Sequence, residues 1–235
     1  MVNVIDIKGD EIPTPTKEND MLDLLFARQH YLAEKYLPIE KENGLLQTED
    51  IPVDINDRKA QARLKDFAWR VSEELYEATD ALITHQDNIN HFLEEMIDAL
   101  HFFLELNILC GIDPQKIKEY FALPDDVDKL FSLHHLVMNL PFAQNNVDIQ
   151  YIPDACLIYT TIGQPIGNAM NKLKNKPWKQ SHMVTEYDQF IDCLIPAWVG
   201  FFRVLGLKHG LTAEQIFTLY FKKSEVNKFR IRSNY

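Results

Sequence analysis

The stretch EELYEATDALITHQDNINHFLEEMIDALHFF, residues 73–103, decides how the whole chain reads. It carries two acidic pairs, Glu74-x-x-Glu77 and Glu95-x-x-Asp98, each spaced i, i+3. Residues three apart share one face of a helix, so each pair presents two carboxylates side by side. The polar break Thr84–Asn90 lets the second helix fold back on the first and brings four carboxylates together. Two unit charges about 4 Å apart repel by roughly 4 kcal/mol at an effective dielectric of 20. Such a cluster needs a cation or raised pKa values. Oxygen donors with no Cys or His cage nearby favour Mg²⁺, with Mn²⁺ as the second choice. The bland alternative is a solvated acidic face. Against it, the acids are embedded among residues expected in a core: Leu75, Tyr76, Met96, Ile97 and Leu100.

Working outward, the pattern stays helical. From Asp20, Leu25, Leu32 and Tyr36 lie on one stripe that Pro38 is expected to end, followed by a loop over 38–56. A long helix is expected from Asn56 or Asp57 to Leu82, with Ala60, Leu64, Phe67, Val71 and Leu75 inside. The next helix starts at Asp87, buries Phe92, Met96, Leu100, Phe103 and Leu104, and stops near Gly111. Asp113-Pro114 then restarts a short helix by a cap followed by proline. The best strand candidate is VDIQYI from Val147, and it is weak. The fold class is all-α, a single domain over 1–235, with an irregular lead-in over 1–18.

An internal echo organises the bundle. Phe102-Phe103-Leu104 and Gly111-Ile112-Asp113 match Phe201-Phe202-Arg203 and Gly210-Leu211-Thr212 at a constant offset of 99. Thr212 with Gln215 forms a capping box. The expected architecture is therefore two related helical hairpins, an acidic one over 57–122 and a pseudo-repeat over 150–235. The acids do not echo: at that offset Glu95 falls on Leu194 and Asp98 on Ala197.

Composition narrows the partners. The chain has 235 residues, 46% of them hydrophobic, and a formal net charge of −11, which argues against nucleic acid as a general partner. Cys110, Cys156 and Cys193 form no C-x-x-C, which suits a reducing, cytoplasmic setting. The start has no basic, apolar leader, and the apolar run from Cys193 to Phe202 is too short to span a membrane.

Two basic segments offer anion chemistry. Lys223, Asn227 and Arg230, spaced by four and three, line one helical face that suits phosphate oxygens. The same residues also fit a basic helix end favoured by the macrodipole. Asn171–Lys179 packs four lysines, Lys174 among them, around Trp178; it reads either as a triphosphate grip or as an exposed turn.

Taken together, Glu74-x-x-Glu77, Glu95-x-x-Asp98-x-x-His101 and the C-terminal LTAEQIFTLYFKKSEVNKFR before Tyr235 resemble the all-α NTP pyrophosphohydrolases. These are the superfamily of MazG and the dimeric dUTPases, and the ending is most similar to the T-even phage dCTPase-dUTPases and the dimeric dUTPases. The first helix, with Leu25-x-x-x-Gln29-x-x-Leu32, resembles their nucleoside-binding helix. The resemblance implies Mg²⁺-dependent hydrolysis of a dNTP to the monophosphate and pyrophosphate by a homodimer. It implies Glu74, Glu77, Glu95 and Asp98 as catalytic metal ligands, and Lys223, Asn227, Arg230 and Tyr235 as phosphate contacts. Gln29 would contact the base or sugar; His101 would either face the nucleoside or, as a lone histidine beside Phe102, be a satisfied core residue. Ser224, Ile231 and Asn234 depart from the terminal motif, and Ala33 stands where the family has an amide. These departures leave dUTP and dCTP both open, beside a nucleotide-binding relative without turnover and a plain helical interaction protein.

Overall fold

The computed structural model describes residues 12–44, 48–84, 89–123, 132–139, 149–176 and 178–233. Among the described residues there is no strand, and the fold is all-α. Helix α1 (Met21–Glu42) starts from Asp20, whose Oδ1 accepts from the backbone N–H groups of Leu22 and Asp23 at 2.9 and 3.1 Å. The Asp23 carboxylate returns the favour to Asp20 N–H at 3.0 Å. This reciprocal cap satisfies donors that a helix start otherwise leaves orphaned.

Pro38 does not end α1, which runs through it to Glu42. Pro38 is exposed, so the carbonyl that loses its N–H partner faces water and the expected break is avoided. Helix α2 (Arg58–Thr84) opens on Asp57, which accepts from Ala60 N–H at 2.9 Å. Helix α3 (Ile89–Leu109) is buried over most of its circumference, with Phe92, Met96, Leu100, Phe103 and Leu104 fully enclosed. The proposed cap at Asp87 lies outside the described residues. Helix α3 ends at Gly111, whose φ of 72° is a left-handed conformation that glycine adopts at little cost. Helix α4 (Pro114–Tyr120) follows, capped by Asp113 through Lys116 N–H at 2.8 Å.

After α5 (Ser132–Asn139) the chain reaches the weak strand candidate. Ile149–Tyr151 form a single 3-10 turn instead, and Val147 and Asp148 lie outside the described residues. Two interrupted helical stretches come next. The first joins α6 (Asp154–Ile158) to α7 (Gln164–Lys172) through a π-helical turn, Tyr159–Gly163. The second runs α8 (Tyr187–Leu194), a bend at Ile195–Pro196, α9 (Ala197–Phe202) and a π turn, Arg203–Lys208. Gly210 closes it with φ 73°, as Gly111 closes α3. Thr212 and Gln215 form the expected capping box at the start of α10 (Ala213–Ser233), at 2.8 and 3.2 Å.

Helix α3 is the axis. It packs along α2 on one side and against α1 and α10 on the other. Trp198 of α9 locks the second stretch to this axis: it stacks on Phe26, meets Phe103 edge-on, and donates its indole N–H to Asn107 Oδ1 at 3.2 Å. Gly200 sets the closeness of the packing, because a Cβ there would fall 2.3 Å from the Thr161 carbonyl oxygen. The segment Tyr187–Lys208 is long and apolar enough to cross a membrane, with a mean hydropathy of 1.7. It is 67% buried inside the protein, which is the mark of a core helix.

Candidate active site

The α2–α3 pair brings three of the four sequence acids together. Ligand oxygens of Glu74, Glu77 and Glu95 all lie within 4.8 Å of one another. Glu74 is half-buried, Glu77 exposed and Glu95 buried. Tyr76 is 63% exposed, against the expectation that it packs inside; the other embedded residues, Leu75, Met96, Ile97 and Leu100, are buried. Glu74 faces inward because it shares a face of α2 with the buried Val71, three residues before it, and Ala78, four after it. Burial pushes its carboxyl up to about 8, helped by a hydrogen bond shared with Glu95 and by the charges of Asp98, Glu95 and Glu77. Carboxylates this close need a shared proton or a cation. An all-oxygen donor set fits a hard divalent ion such as Mg²⁺.

Asp98 stands at the edge of this trio. Its Oδ2 pairs with Lys223 Nζ at 2.7 Å, and the same ammonium reaches Glu94 Oε1 at 2.6 Å. Burial raises the Asp98 carboxyl, with the Lys223 contact working against it. For Lys223 burial works downward, but its bonds to Asp98 and Glu94 hold it above the usual lysine range. His91 Nδ1 lies 3.0 Å from Glu95 Oε1, one turn back on α3. Glu73 accepts the indole N–H of Trp69 at 2.6 Å.

Beside the acids opens a cavity of about 300 Å³. Glu74 and Asp98 line it together with Gln29, His101, Asn227 and Arg230. Residues as far apart in sequence as Gln29 and Arg230 thus meet in one place, because α1 and α10 both pack on α3. Gln29 is buried in a network: its Oε1 accepts from Tyr220 Oη–H at 2.6 Å and lies 2.9 Å from His101 Nδ1. Its amide nitrogen donates to Glu105 Oε2 at 2.9 Å. His101 stacks on Tyr220 with ring centroids 3.8 Å apart, and burial lowers its pKa to about 3, so it is neutral.

Lys174 and Trp178 lie elsewhere. Lys174 donates to Asn171 O at 2.8 Å, and Trp178 is 76% exposed. Asn175 between them is anchored at the start of α2, through Gln61 Oε1 and Asn56 O at 2.9 Å each. Gln61 is thirteen residues before Glu74, about 20 Å away along a helix rising 1.5 Å per residue. Tyr235 lies outside the described residues. Sequence reasoning missed Glu105, Arg70 and Glu40, which also line the cavity. Helical spacing held the signal for two of them: Arg70 precedes Glu74 by four, and Glu105 follows His101 by four.

An all-α fold that sets clustered carboxylates beside a cavity lined by polar side chains is the layout of a helical enzyme site. A family model described as dUTPase matches residues 83–235, well over half of the chain, and the chain belongs to that family, the all-α dimeric dUTPases. It is therefore an enzyme of the dNTP pyrophosphohydrolase type. The matched region holds Glu95, Asp98, His101 and the α10 residues; Glu74, Glu77 and Gln29 lie before it. No match was found among curated proteins or among solved structures.

Proposed function

We propose that this chain hydrolyses dUTP, dCTP or both to the monophosphate and pyrophosphate with the help of Mg²⁺. The observation that carries this reading is the convergence of Glu74, Glu77 and Glu95 within 4.8 Å beside a cavity that Gln29, His101, Asn227 and Arg230 also line. Glu74, Glu77, Glu95 and Asp98 are the residues to hold Mg²⁺, or Mn²⁺ in its place. Bound there, the ion neutralises phosphate charge and lowers the pKa of a water.

The chain's own groups divide the remaining work. Asn227 and Arg230 face the cavity from α10 and offer an amide and a guanidinium to phosphate oxygens. Lys223 joins them by exchanging its carboxylate partners for phosphate, and Tyr235 by resemblance to the family ending. Gln29 and His101 face the nucleoside. The proton of the attacking water goes to one of the clustered carboxylates or to Glu94. Glu73 is a weaker candidate, since its carboxylate is held by Trp69.

A homodimer is part of the same reading. A groove of about 490 Å³ runs between α2 and the α6–α7 stretch. It leaves Trp69, Tyr76 and Tyr159 exposed on one surface, which suits a partner subunit. The setting is the cytoplasm, that of the host if the chain is phage-encoded.

One observation favours a second reading, nucleotide binding without turnover. Where the family ending carries an amide after its lysine, Ser224 is fully buried with its hydroxyl unpartnered. A panel of dNTPs with Mg²⁺ and a pyrophosphate readout separates the two. The expected result is turnover of a pyrimidine nucleotide, lost in Glu77→Gln and Asp98→Asn. Thermal stabilisation by a dNTP with no turnover supports the second reading instead.

A further inference from the structure

The far end of the cavity from the acids is closed by a buried carboxyl. Glu105 is 5% exposed and lines the cavity two turns beyond Asp98 on α3. Seven residues are about 10 Å along a helix axis, comparable to the span from the phosphates of a nucleotide to the edge of its base. The polar groups around Glu105 are almost fully committed. Gln29 Oε1 takes the Tyr220 hydroxyl and His101 Nδ1, and Gln29 Nε2 gives a hydrogen to Glu105 Oε2. Glu40, Arg63 and Arg70 are the charged groups acting on it, the first raising and the other two lowering its proton affinity. Tyr36 and the paired Arg70 and Glu40 flank Glu105 at this end, and the Glu105 carboxyl, with one oxygen held by Gln29, keeps acceptor capacity for a base.

We propose that Glu105 is a base-specificity residue, accepting the exocyclic amino hydrogen of cytosine and disfavouring the carbonyl oxygen that uracil carries at the same position. The proposal rests on the nucleotide-hydrolase reading of the site. An ionised carboxylate only accepts hydrogen bonds. Facing an amino group it gains a charge-assisted bond; facing a carbonyl it sets two acceptors against each other. A glutamate accepting from the cytosine amino group is an established pairing in base recognition. A site built around a buried polar group rejects the analogue that cannot pair with it.

The test is kcat/KM for dCTP and dUTP at pH 8, above the value of about 7 to which burial raises this carboxyl. The wild type should favour dCTP by about tenfold or more. Glu105→Gln keeps the shape; its oxygen can hold Gln29 while its amide N–H₂ faces the base. The dCTP:dUTP ratio should then fall by about tenfold or more. A wild-type ratio of one or below overturns the proposal, and so does an unchanged ratio in the variant. If the variant does not fold, the wild-type ratio decides alone. If the wild type cleaves neither nucleotide, the hydrolase reading fails separately. The base preference is then read from thermal stabilisation by dCTP against dUTP, with equal shifts counting against Glu105.

Discussion

The chain folds two helical stretches that turn on matching glycines, Gly111 and Gly210, yet uses corresponding positions in opposite ways. On α3, Glu95, Asp98 and His101 run along the face that meets the acid cluster and the cavity. Ninety-nine residues on, the same places hold Leu194, Ala197 and Gly200. Leu194 and Ala197 are fully buried, and Gly200 lets α9 press against the Thr161 carbonyl. One hairpin keeps polar groups beside a cavity, and the other closes the equivalent face with small and aliphatic side chains. Helix geometry alone does not create the site. It depends on which side chains are placed on a face that α1 and α10 do not fill.

The largest effect is expected from carrying the acid across. Leu194→Glu introduces the counterpart of Glu95 at a fully buried position that, among the described residues, belongs to no carboxylate cluster. An uncompensated buried charge costs about 3–5 kcal/mol. Denaturant unfolding should show a loss of that size; a near-neutral substitution breaks the contrast between the hairpins.

Next comes the proton that the acidic hairpin holds. The Glu74 carboxyl sits at about 8 when folded, above its ordinary 4.5. A folded-state value raised in this way contributes stability that is complete below about 4.5 and is lost as pH rises through about 8. In EDTA, thermal unfolding of the wild type should fall relative to Glu74→Gln between pH 5 and 8. Mg²⁺ should restore the wild type at pH 8, since an ion that binds only the folded state stabilises it. Parallel pH profiles for the two proteins contradict the assignment.

Much of this contrast could be read from the residues themselves. The i, i+3 acids, the glycine turns, the Asp57 and Asp113 caps and the apolar faces of α2 and α3 are local features, and local rules place them. Other features depend on tertiary surroundings. Pro38 stays within α1 because its side of the helix faces water. The π turn at Tyr159–Gly163 comes just before Pro165, which has no N–H for the Thr161 carbonyl that packs against Gly200 from another helix. Glu105 reads as one more polar residue on an apolar helix until α1 brings Gln29 against it. The lysine–tryptophan segment carries the right chemistry for phosphate, but Asn175 ties it to the opposite end of α2.

The smallest effect belongs to what the hairpins share. Thr212→Ala removes half of the capping box before α10. It should cost about 1 kcal/mol of stability and leave any site effect to the acids. A loss of turnover larger than the loss of folded protein would show that this turn sets the position of Asn227 and Arg230.

The central claim is that the acidic hairpin, and not its counterpart, holds a divalent ion. Mn²⁺ titration followed by electron paramagnetic resonance tests it on the intact chain, with Glu95→Gln as the control. Saturable binding in the wild type that is lost in Glu95→Gln is the predicted result. No binding, or equal binding by both proteins, contradicts the account.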